Sequence, residues 1–387
     1  MTSPRIAALI VAAGVGARSG SATPKQFAIV AGKPMIAHSH ARLDDHPLIE
    51  RVLIAIGPDQ DDALAAALGE VPHVTGGATR RLSVLAGLEA LAVDAPDWVL
   101  IHDAARPFIP RAVIDRLLAA LNEHPGAVPA LSVADTLAHG DAKLGEVVPR
   151  DGLHRIQTPQ AFIFKDILAA HRGWQGDEPT DDAQMLRAAG GVVALVEGDM
   201  MLEKITHPAD FVAAEARHDA TLRTRTASGY DVHRLEIGEE LWLGGVLIPH
   251  DKGLSGHSDA DVALHAITDA LLGTIAAGDI GTHFPPSDPQ WRGAASGLFL
   301  QHAAGLISAR GGVIDFVDLT LICEAPKIGP HREAMRARIA ALLQLPVGRI
   351  SVKATTTEKL GFTGRGEGIA AQAVATVRVP SPQEEQA

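Results

Sequence analysis

The sequence predicts two folded domains: an α/β domain with a mostly parallel sheet over residues 1–225, then an α+β domain over 226–387. Three observations lead there. Continuous apolar runs alternate with helix-like stretches through the first two hundred residues, the pattern of strands buried on both faces. Near residue 222 this gives way to longer runs with period-two alternation. A chain of 387 residues also suits two or three domains at roughly 150 residues each.

In the first half, Ile6–Ala12 is an apolar run ending at Gly14 and Gly16. Arg51–Ile56 ends in Gly57-Pro58, Trp98–Ile101 in His102-Asp103, and Val192–Val196 in Glu197-Gly198. Helix-like stretches lie at Asp59–Leu68, Arg80–Leu91 and Pro110–Leu121. Such sheets bind ligands beyond the carboxyl ends of their strands, so the polar residues after each run are the candidates. Thr221–Ser228 carries little apolar periodicity and reads as a connection. Beyond it, Ser228–Ile237, Val313–Cys323 and Ile369–Val379 read as strands. Asp261–Ala277, Gly297–Ala309 and Pro330–Leu343 read as helices. The tail Ser381–Ala387 reads as disordered.

Composition narrows the function. There are 46 acidic and 34 basic residues, a net charge of -12, and both halves are acidic. That opposes a nucleic-acid or anionic-membrane partner. A single cysteine, Cys323, excludes an internal disulfide framework and a cysteine-based zinc module. No apolar run approaches the roughly 18–20 residues that span a bilayer. The N-terminal apolar stretch leads into a glycine turn and reads as a first strand, not a signal peptide. A cytoplasmic protein is the expectation.

The stretch Ala12-Ala13-Gly14-Val15-Gly16-Ala17-Arg18 follows the first strand. Glycines let the backbone turn its N–H groups onto a phosphate. No Gly-Lys-Ser/Thr follows, so this is not a P-loop, and Ser19 stands at the third glycine of the dinucleotide fingerprint. Arg18 and Lys25 place two cations beside the loop, which suits the charge that builds up in phosphoryl or nucleotidyl transfer. Two solvated surface cations are the plain alternative. Asp103, just past an apolar run, suits a bound cation or a substrate hydroxyl, or equally a helix N-cap.

Together, AAGxGxR, PKQF, GGATRRLSV, HDAARP, RIQTPQAF and EKITHP resemble the 2-C-methyl-D-erythritol 4-phosphate cytidylyltransferase family over about residues 5–220. The resemblance implies an α/β nucleotidyltransferase fold of Rossmann-like type. It implies transfer of CMP from CTP to methylerythritol phosphate, with pyrophosphate released. Carried over by motif, Arg18 and Lys25 stabilise the pentacovalent α-phosphate, and Gly14 and Gly16 line its loop. Arg150 and Lys204 hold the methylerythritol phosphate for in-line attack. Gly76, Arg80 and Ser83 contact the nucleotide. Asp103, Arg106, Thr136, Thr158 and Thr180 line the sugar-phosphate pocket. Ala78 departs from the pattern where some members carry an acidic residue. Without the resemblance, Arg150 and Lys204 read as surface ion pairs.

In the second half, Asp231-Val232-His233 sits in a strand-like run, so Asp231 and His233 share a face. His257-Ser258-Asp259-Ala260-Asp261 precedes His265. If Asp261 starts a helix, it shares a face with His265. One Asp and two His can hold tetrahedral Zn²⁺ with a fourth position open. The alternative is a turn aspartate and a hydrogen-bonded interior histidine. Ser351–Gly368 adds a threonine cluster, Glu358 and glycines around Arg365, which suit a diphosphate grip. Glu358 can hold a second divalent cation bridging the phosphates.

YDVHR, LGGVLIP, KGLSGHSDADVALHAITDALLG, GDIGTHFPPSD and VKATTTEKLGFTGRGEG resemble the 2-C-methyl-D-erythritol 2,4-cyclodiphosphate synthase family over about residues 227–379. The resemblance implies a trimer-forming α+β cyclodiphosphate synthase domain with sites between neighbouring subunits. Asp231, His233 and His265 would hold Zn²⁺. Mg²⁺ or Mn²⁺ would accompany the substrate phosphates in both halves, with Glu358 a ligand in the second. His257 and Thr356 match transition-state positions. Asp279, Ile280 and Gly281, with Phe284 and Asp288, match the methylerythritol pocket. Ala325 and Lys327 fall in the cytidine pocket (CEAPKIG), and Phe362 and Arg365 complete the nucleotide site. Ser258, Thr355 and Thr357 join the substrate-binding set. Ala260 replaces a glycine of HSDGD-type members, and Gly329 a bulkier residue. Cys323 reads as a pocket wall, not a nucleophile.

The expectation is one chain with two non-consecutive activities. A separate kinase must act between them, and its docking to this chain is a hypothesis. The partners are small molecules, with no nucleic acid and no membrane. The chain is expected to form a homo-oligomer, and two-fold plus three-fold contacts permit a hexamer. Three alternatives stand: a first half specific for another polyol phosphate, a nucleotide-binding scaffold with decayed catalysis, and nucleic-acid binding, which the acidic balance opposes.

Overall fold

The computed structural model describes residues 3–14, 24–285, 288–291 and 293–380. The expected loop residues Gly16 and Arg18, and the tail Ser381–Ala387, lie outside them. The chain divides into two compact units between Ala220 and Thr221.

Eight strands form one sheet in the first unit: β1 (Ile6–Ala12), β2 (Arg51–Ile56), β3 (His73–Thr75), β4 (Trp98–Asp103), β5 (Gly126–Ser132), β6 (His154–Ile156), β7 (Gln160–Ile163) and β8 (Val193–Glu197). The order is β6-β5-β7-β4-β1-β2-β3, with β8 paired to β5. β1 runs parallel to β2 and β4, β2 to β3, and β8 to β5. β7 and β6 are antiparallel insertions. Their short runs escape a reading based on long apolar stretches. Around the sheet lie α1 (Met35–Asp44), α2 (Asp61–Leu68), α3 (Arg80–Leu91), α4 (Arg111–Ala120), α5 (Phe164–Gly173), α6 (Asp182–Ala188) and α7 (Pro208–Thr221).

Period-two alternation along β1 builds two cores. Ile6, Ala8 and Ile10 pack with Leu43 of α1 and Ile114 and Leu117 of α4. Ala7 and Leu9 pack with Val84 and Leu88 of α3 and Ile167 of α5. β4 runs two residues past the expected end at Ile101, so His102 and Asp103 belong to the strand.

The second unit begins with β9 (Leu222–Ile237), which absorbs the segment expected to be a connection. Its alternating Thr and Arg residues pair with the far end of the last strand, from Leu222 opposite Pro380. β-branched threonines favour the extended chain, so pairing decides where apolar periodicity does not. Then come β10 (Lys252–Ser255), α8 (Val262–Thr274), α9 (Ser296–Ala309), β11 (Val313–Ile322), α10 (Arg332–Leu343), β12 (Ile350–Thr355) and β13 (Gly368–Pro380). The sheet order is β10-β9-β13-β11-β12. α8 lies on β9 and β13. A Cβ on Gly229 of β9 would stand 2.1 Å from the carbonyl oxygen of Ala266, so glycine allows that approach. On the other sheet face, Tyr230, Val232 and Phe316 are 57%, 39% and 42% exposed, an uncovered apolar surface within one chain.

Candidate active sites

A cavity of about 910 Å³ opens beyond the carboxyl ends of β1 and β4. Ala12, Ala13 and Gly14 form one wall, the segment from Gly76 to Arg80 another, and Asp103 the floor. A Cβ on Gly76 would meet Ala13 Cβ and Ser83 Oγ at 2.7 Å each, so this turn needs a glycine. Thr79 caps α3, its side chain accepting from Leu82 N at 3.2 Å. The positive end of the α3 dipole and the Ser83 hydroxyl therefore stand beside the cavity, a setting for phosphate.

Asp103 Oδ1 accepts from Arg80 Nε at 2.8 Å, and its Oδ2 from Lys204 Nζ at 2.7 Å. Burial opposes ionisation of Asp103, but Arg80 and then Lys204 outweigh it and hold its carboxyl well below the usual range. Arg80 also donates to Asp182 Oδ2 at 2.9 Å. Lys25 Nζ donates to the Ile205 carbonyl at 2.9 Å. Gln26 is buried and donates to the Ala12 carbonyl at 2.6 Å, which pins the end of β1.

The structure thus gathers Gly14, Lys25, Gly76, Arg80, Ser83, Asp103 and Lys204 on one cavity. The other expected residues among those described, Arg106, Thr136, Arg150, Thr158 and Thr180, stand apart from its wall. Thr158 Oγ1 accepts from Asp103 N at 3.1 Å and faces His102 Nδ1, bracing the strand end. Burial pushes His102 down to about 4. Arg106 donates to the Leu202 carbonyl, and its buried Nε has no partner among the described residues. Thr136 and Thr180 are exposed, as is Arg150, which donates to the Ala134 carbonyl. Sequence reasoning missed Asp182. Its only signal is the acidic pair Asp181-Asp182 at the start of α6.

In the second unit, Asp231 and His233 alternate along β9 toward α8, which presents His265. Asp231 Oδ2 lies 3.0 Å from His233 Nε2 and 3.0 Å from His265 Nδ1. The two ring nitrogens are 3.1 Å apart. Tetrahedral zinc bonds of 2.0–2.1 Å place ligand atoms about 3.3 Å from each other, so this triangle fits one cation. The outer ring atoms are occupied. His233 Nδ1 meets the Ser255 carbonyl at 3.0 Å, and His265 Nε2 meets Ser296 Oγ at 2.8 Å and Ser258 Oγ at 3.2 Å. The Ser255 carbonyl can only accept, which assigns the His233 proton to Nδ1 and leaves its Nε2 lone pair facing the triangle. Among the described residues this is the one group of three potential ligands so arranged.

Asp261 does not join it. It caps α8, accepting from Ala263 N and Leu264 N at 3.1 Å each, and from Gly244 N and Gly245 N. Ala260 takes φ 53°, a conformation glycine adopts freely and alanine only with about 1–2 kcal/mol of strain. Its replacement of glycine therefore keeps the backbone shape.

Asp279 caps the single turn Ile280–His283, accepting from Thr282 N at 2.8 Å. Gly281 lies exposed on that turn. Phe284 packs on Phe299 with ring centroids 4.4 Å apart. Asp288 turns to Gln290. Ser258 braces His265, whereas His257 is exposed.

Thr355, Thr356 and Thr357 continue the end of β12. Thr356 Oγ1 donates to Glu358 Oε1 at 2.9 Å, and Glu324 accepts from the backbone N–H groups of Thr357 and Lys359 at 3.1 Å each. Arg365 pairs with Glu367 at 2.7 Å. Ala325 and Lys327 are exposed beyond β11, and Phe362 sits on the turn Gly361–Gly364. Burial pushes the Cys323 thiol up to about 11, as a wall residue requires.

Strand register measures the gap between these groups. Val232 pairs with Ala370, Ala370 with Ile322, and Ile322 with Thr355. Three strand spacings of about 4.8 Å put the threonine cluster about 14 Å from the histidine strand. Glu358 is thus not among the ligands of the triangle.

Residues 6–219 match the family described as 2-C-methyl-D-erythritol 4-phosphate cytidylyltransferase, and residues 224–378 match the YgbB family. A bifunctional enzyme IspD/IspF of Rhizorhabdus wittichii is 66% identical over 382 residues, covering 98% of this chain and 99% of that protein. The chain belongs to the bifunctional IspD/IspF family. Another member, from Erythrobacter litoralis, is 56% identical over 97% of this chain and 96% of its own length. The solved structure of the bifunctional IspDF from Campylobacter jejuni is 30% identical, covers 97% of this chain and 98% of its own, and has a TM-score of 0.49. As an IspD/IspF member, the chain carries a nucleotidyltransferase unit and a lyase unit of isoprenoid-precursor synthesis. No described helix is long and apolar enough to cross a membrane.

Proposed function

We propose that the first unit transfers CMP from CTP to 2-C-methyl-D-erythritol 4-phosphate, releasing pyrophosphate. The second unit cyclises 4-CDP-2-C-methyl-D-erythritol 2-phosphate to the 2,4-cyclodiphosphate, releasing CMP. The observation that carries this reading is the presence, in one chain, of a cavity of about 910 Å³ lined by Lys25, Arg80, Asp103 and Lys204, and of the Asp231–His233–His265 triangle.

In the first reaction, a 4-phosphate oxygen attacks the α-phosphorus of CTP and the bond to pyrophosphate breaks. Lys25, with Arg18, offsets charge that is larger in the transition state than in CTP, and only such differential binding speeds the step. Lys204 and Asp103 orient the polyol phosphate, with Arg150 assigned to it by motif. Gly76, Arg80 and Ser83 receive the nucleotide, whose phosphates would carry Mg²⁺ or Mn²⁺.

In the second reaction, a 2-phosphate oxygen attacks the β-phosphorus and CMP leaves. Zn²⁺ held by Asp231, His233 and His265 would polarise a phosphate oxygen as a Lewis acid. Thr356 and His257 are assigned to the transferring phosphate, and Glu358 to a second cation. Asp279, Ile280 and Phe284 hold the methylerythritol part. Ala325, Lys327, Phe362 and Arg365 receive the cytidine and its phosphates. Much of the rate gain is orientation, since the attack is intramolecular.

A single diphosphate cannot bridge the roughly 14 Å between the triangle and its own chain's threonines. We therefore assign the threonine cluster of a neighbouring copy to each triangle, in a trimer. The uncovered sheet face with Tyr230, Val232 and Phe316 supports that assembly.

Single substitutions separate the two activities. Lys25→Ala is expected to abolish cytidylyl transfer and leave cyclisation intact. His233→Ala is expected to do the reverse. Loss of both activities from either change would contradict two independent sites.

A further inference from the structure

Arg80 is gripped from two sides. Its Nε donates to Asp103 and its Nη2 to Asp182 at 2.8 and 2.9 Å. Its Nη1 makes no hydrogen bond among the described residues. Asp182 is the first residue of α6, fully buried, and off the cavity wall. Its other oxygen, Oδ1, accepts from His171 Nε2 at 3.1 Å. His171 is itself buried on α5, with Nδ1 unpartnered among the described residues. With Lys204 on the far side of Asp103, five side chains form one line from the core to the cavity: His171, Asp182, Arg80, Asp103 and Lys204.

Buried carboxylates such as Asp103 and Asp182 are a poor way to gain stability. Desolvation cancels most of the attraction, and apolar residues of the same volume would hold the core as well. What the arrangement yields is geometry. A guanidinium held by carboxylates on two of its nitrogens cannot swing, and its third nitrogen is aimed in advance. Asp103 alone cannot do this, because it also serves Lys204.

We propose that Asp182, backed by His171, is a positioning residue of the nucleotide site: it locks Arg80 so that Nη1 meets the polyphosphate of a nucleoside triphosphate. This rests on the assignment of that cavity to CTP. Asp182 touches no ligand and acts through Arg80.

The test is CTP affinity in the presence of Mg²⁺, by calorimetry on the full-length chain, with cytidylyl transfer measured alongside. Affinity reads the anchoring even where transfer is not observed, so failure of the anchoring and failure of the assigned reaction are told apart. Asp182→Asn keeps the shape and removes the charge. It is expected to weaken CTP binding about tenfold, the loss of one preorganised charge-assisted contact. The cyclase rate should stay unchanged. In an Arg80→Lys background, already weakened, Asp182→Asn is expected to add nothing. Equal losses in both backgrounds would show a general structural role and overturn the proposal, as would wild-type affinity in Asp182→Asn. His171 gives a second handle should Asp182→Asn fail to fold. His171→Gln retains an N–H donor toward Asp182 and is expected to stay within threefold of wild type. His171→Leu is expected to show the tenfold loss, and equal affinity of the two His171 variants would overturn the proposal.

Discussion

His233 Nε2 stands 3.1 Å from His265 Nδ1, and each lies 3.0 Å from the same oxygen of Asp231. Three potential ligand atoms so close, with their outer ring nitrogens occupied, fit one cation. The purified chain is expected to hold one zinc-type ion per chain, and His233→Ala to hold none. Elemental analysis checks this. Chelation should also lower the unfolding temperature of the second unit, because a ligand that binds only the folded state stabilises it.

The spacing between the triangle and the threonine cluster predicts complementation. Asp231→Asn and Glu358→Gln are each expected to be inactive as cyclases. Co-expressed, they should recover about a quarter of wild-type cyclase activity, the fraction of randomly mixed sites with one intact half from each copy. No recovery would place both halves of the site on one chain.

Most of this architecture was legible in the sequence, for identifiable reasons. β1, β2 and α3 follow from uninterrupted apolar runs and helical periodicity, which burial dictates. That Asp231 and His233 share a face follows from strand alternation alone. What escaped depends on partners distant in sequence. β9 begins at Leu222 because its Thr-Arg alternation pairs with β13, 150 residues away. Asp182 gains its meaning from Arg80, 102 residues away in sequence. Arg106 and Thr158 occur in the right motifs, yet Thr158 braces the Asp103 strand end, Arg106 donates to the Leu202 carbonyl, and both stand off the cavity wall. A motif gives neighbourhood, and only packing gives the role.

Asp103 makes a pH prediction. Its folded-state carboxyl is held below the ordinary value of 3.8 by Arg80 and Lys204, against burial. A depressed folded value contributes stability above the unfolded value and loses it as pH falls. The first unit should therefore destabilise as pH drops below about 4. Asp103→Asn should lower its stability at neutral pH and flatten that acid limb, as denaturant titrations at several pH values would show.

Cys323 is 5% exposed, and its thiol is pushed up to about 11. In the folded chain at pH 8 it should react with a thiol-alkylating reagent far more slowly than in the unfolded chain. Mass spectrometry follows the difference. Rapid labelling of the folded chain would show that the pocket wall opens.

Gly229 predicts a stability effect with a functional sign. Gly229→Ala would push α8 away from β9, because the new methyl would meet a backbone carbonyl. The expected cost is about 3 kcal/mol. His265 moves with the helix, so zinc content should fall as well. Calorimetry and elemental analysis on the same sample read both.

One chain carries two phosphate chemistries in two separate sites. Phosphorus NMR tests it most directly, with full-length protein, Mg²⁺ and Zn²⁺ in two tubes. CTP with methylerythritol phosphate should yield a diphosphate diester and pyrophosphate. The 2-phosphorylated cytidylyl compound should yield a cyclic diphosphate and CMP. Product in one tube only, from protein folded in both units, would contradict the claim.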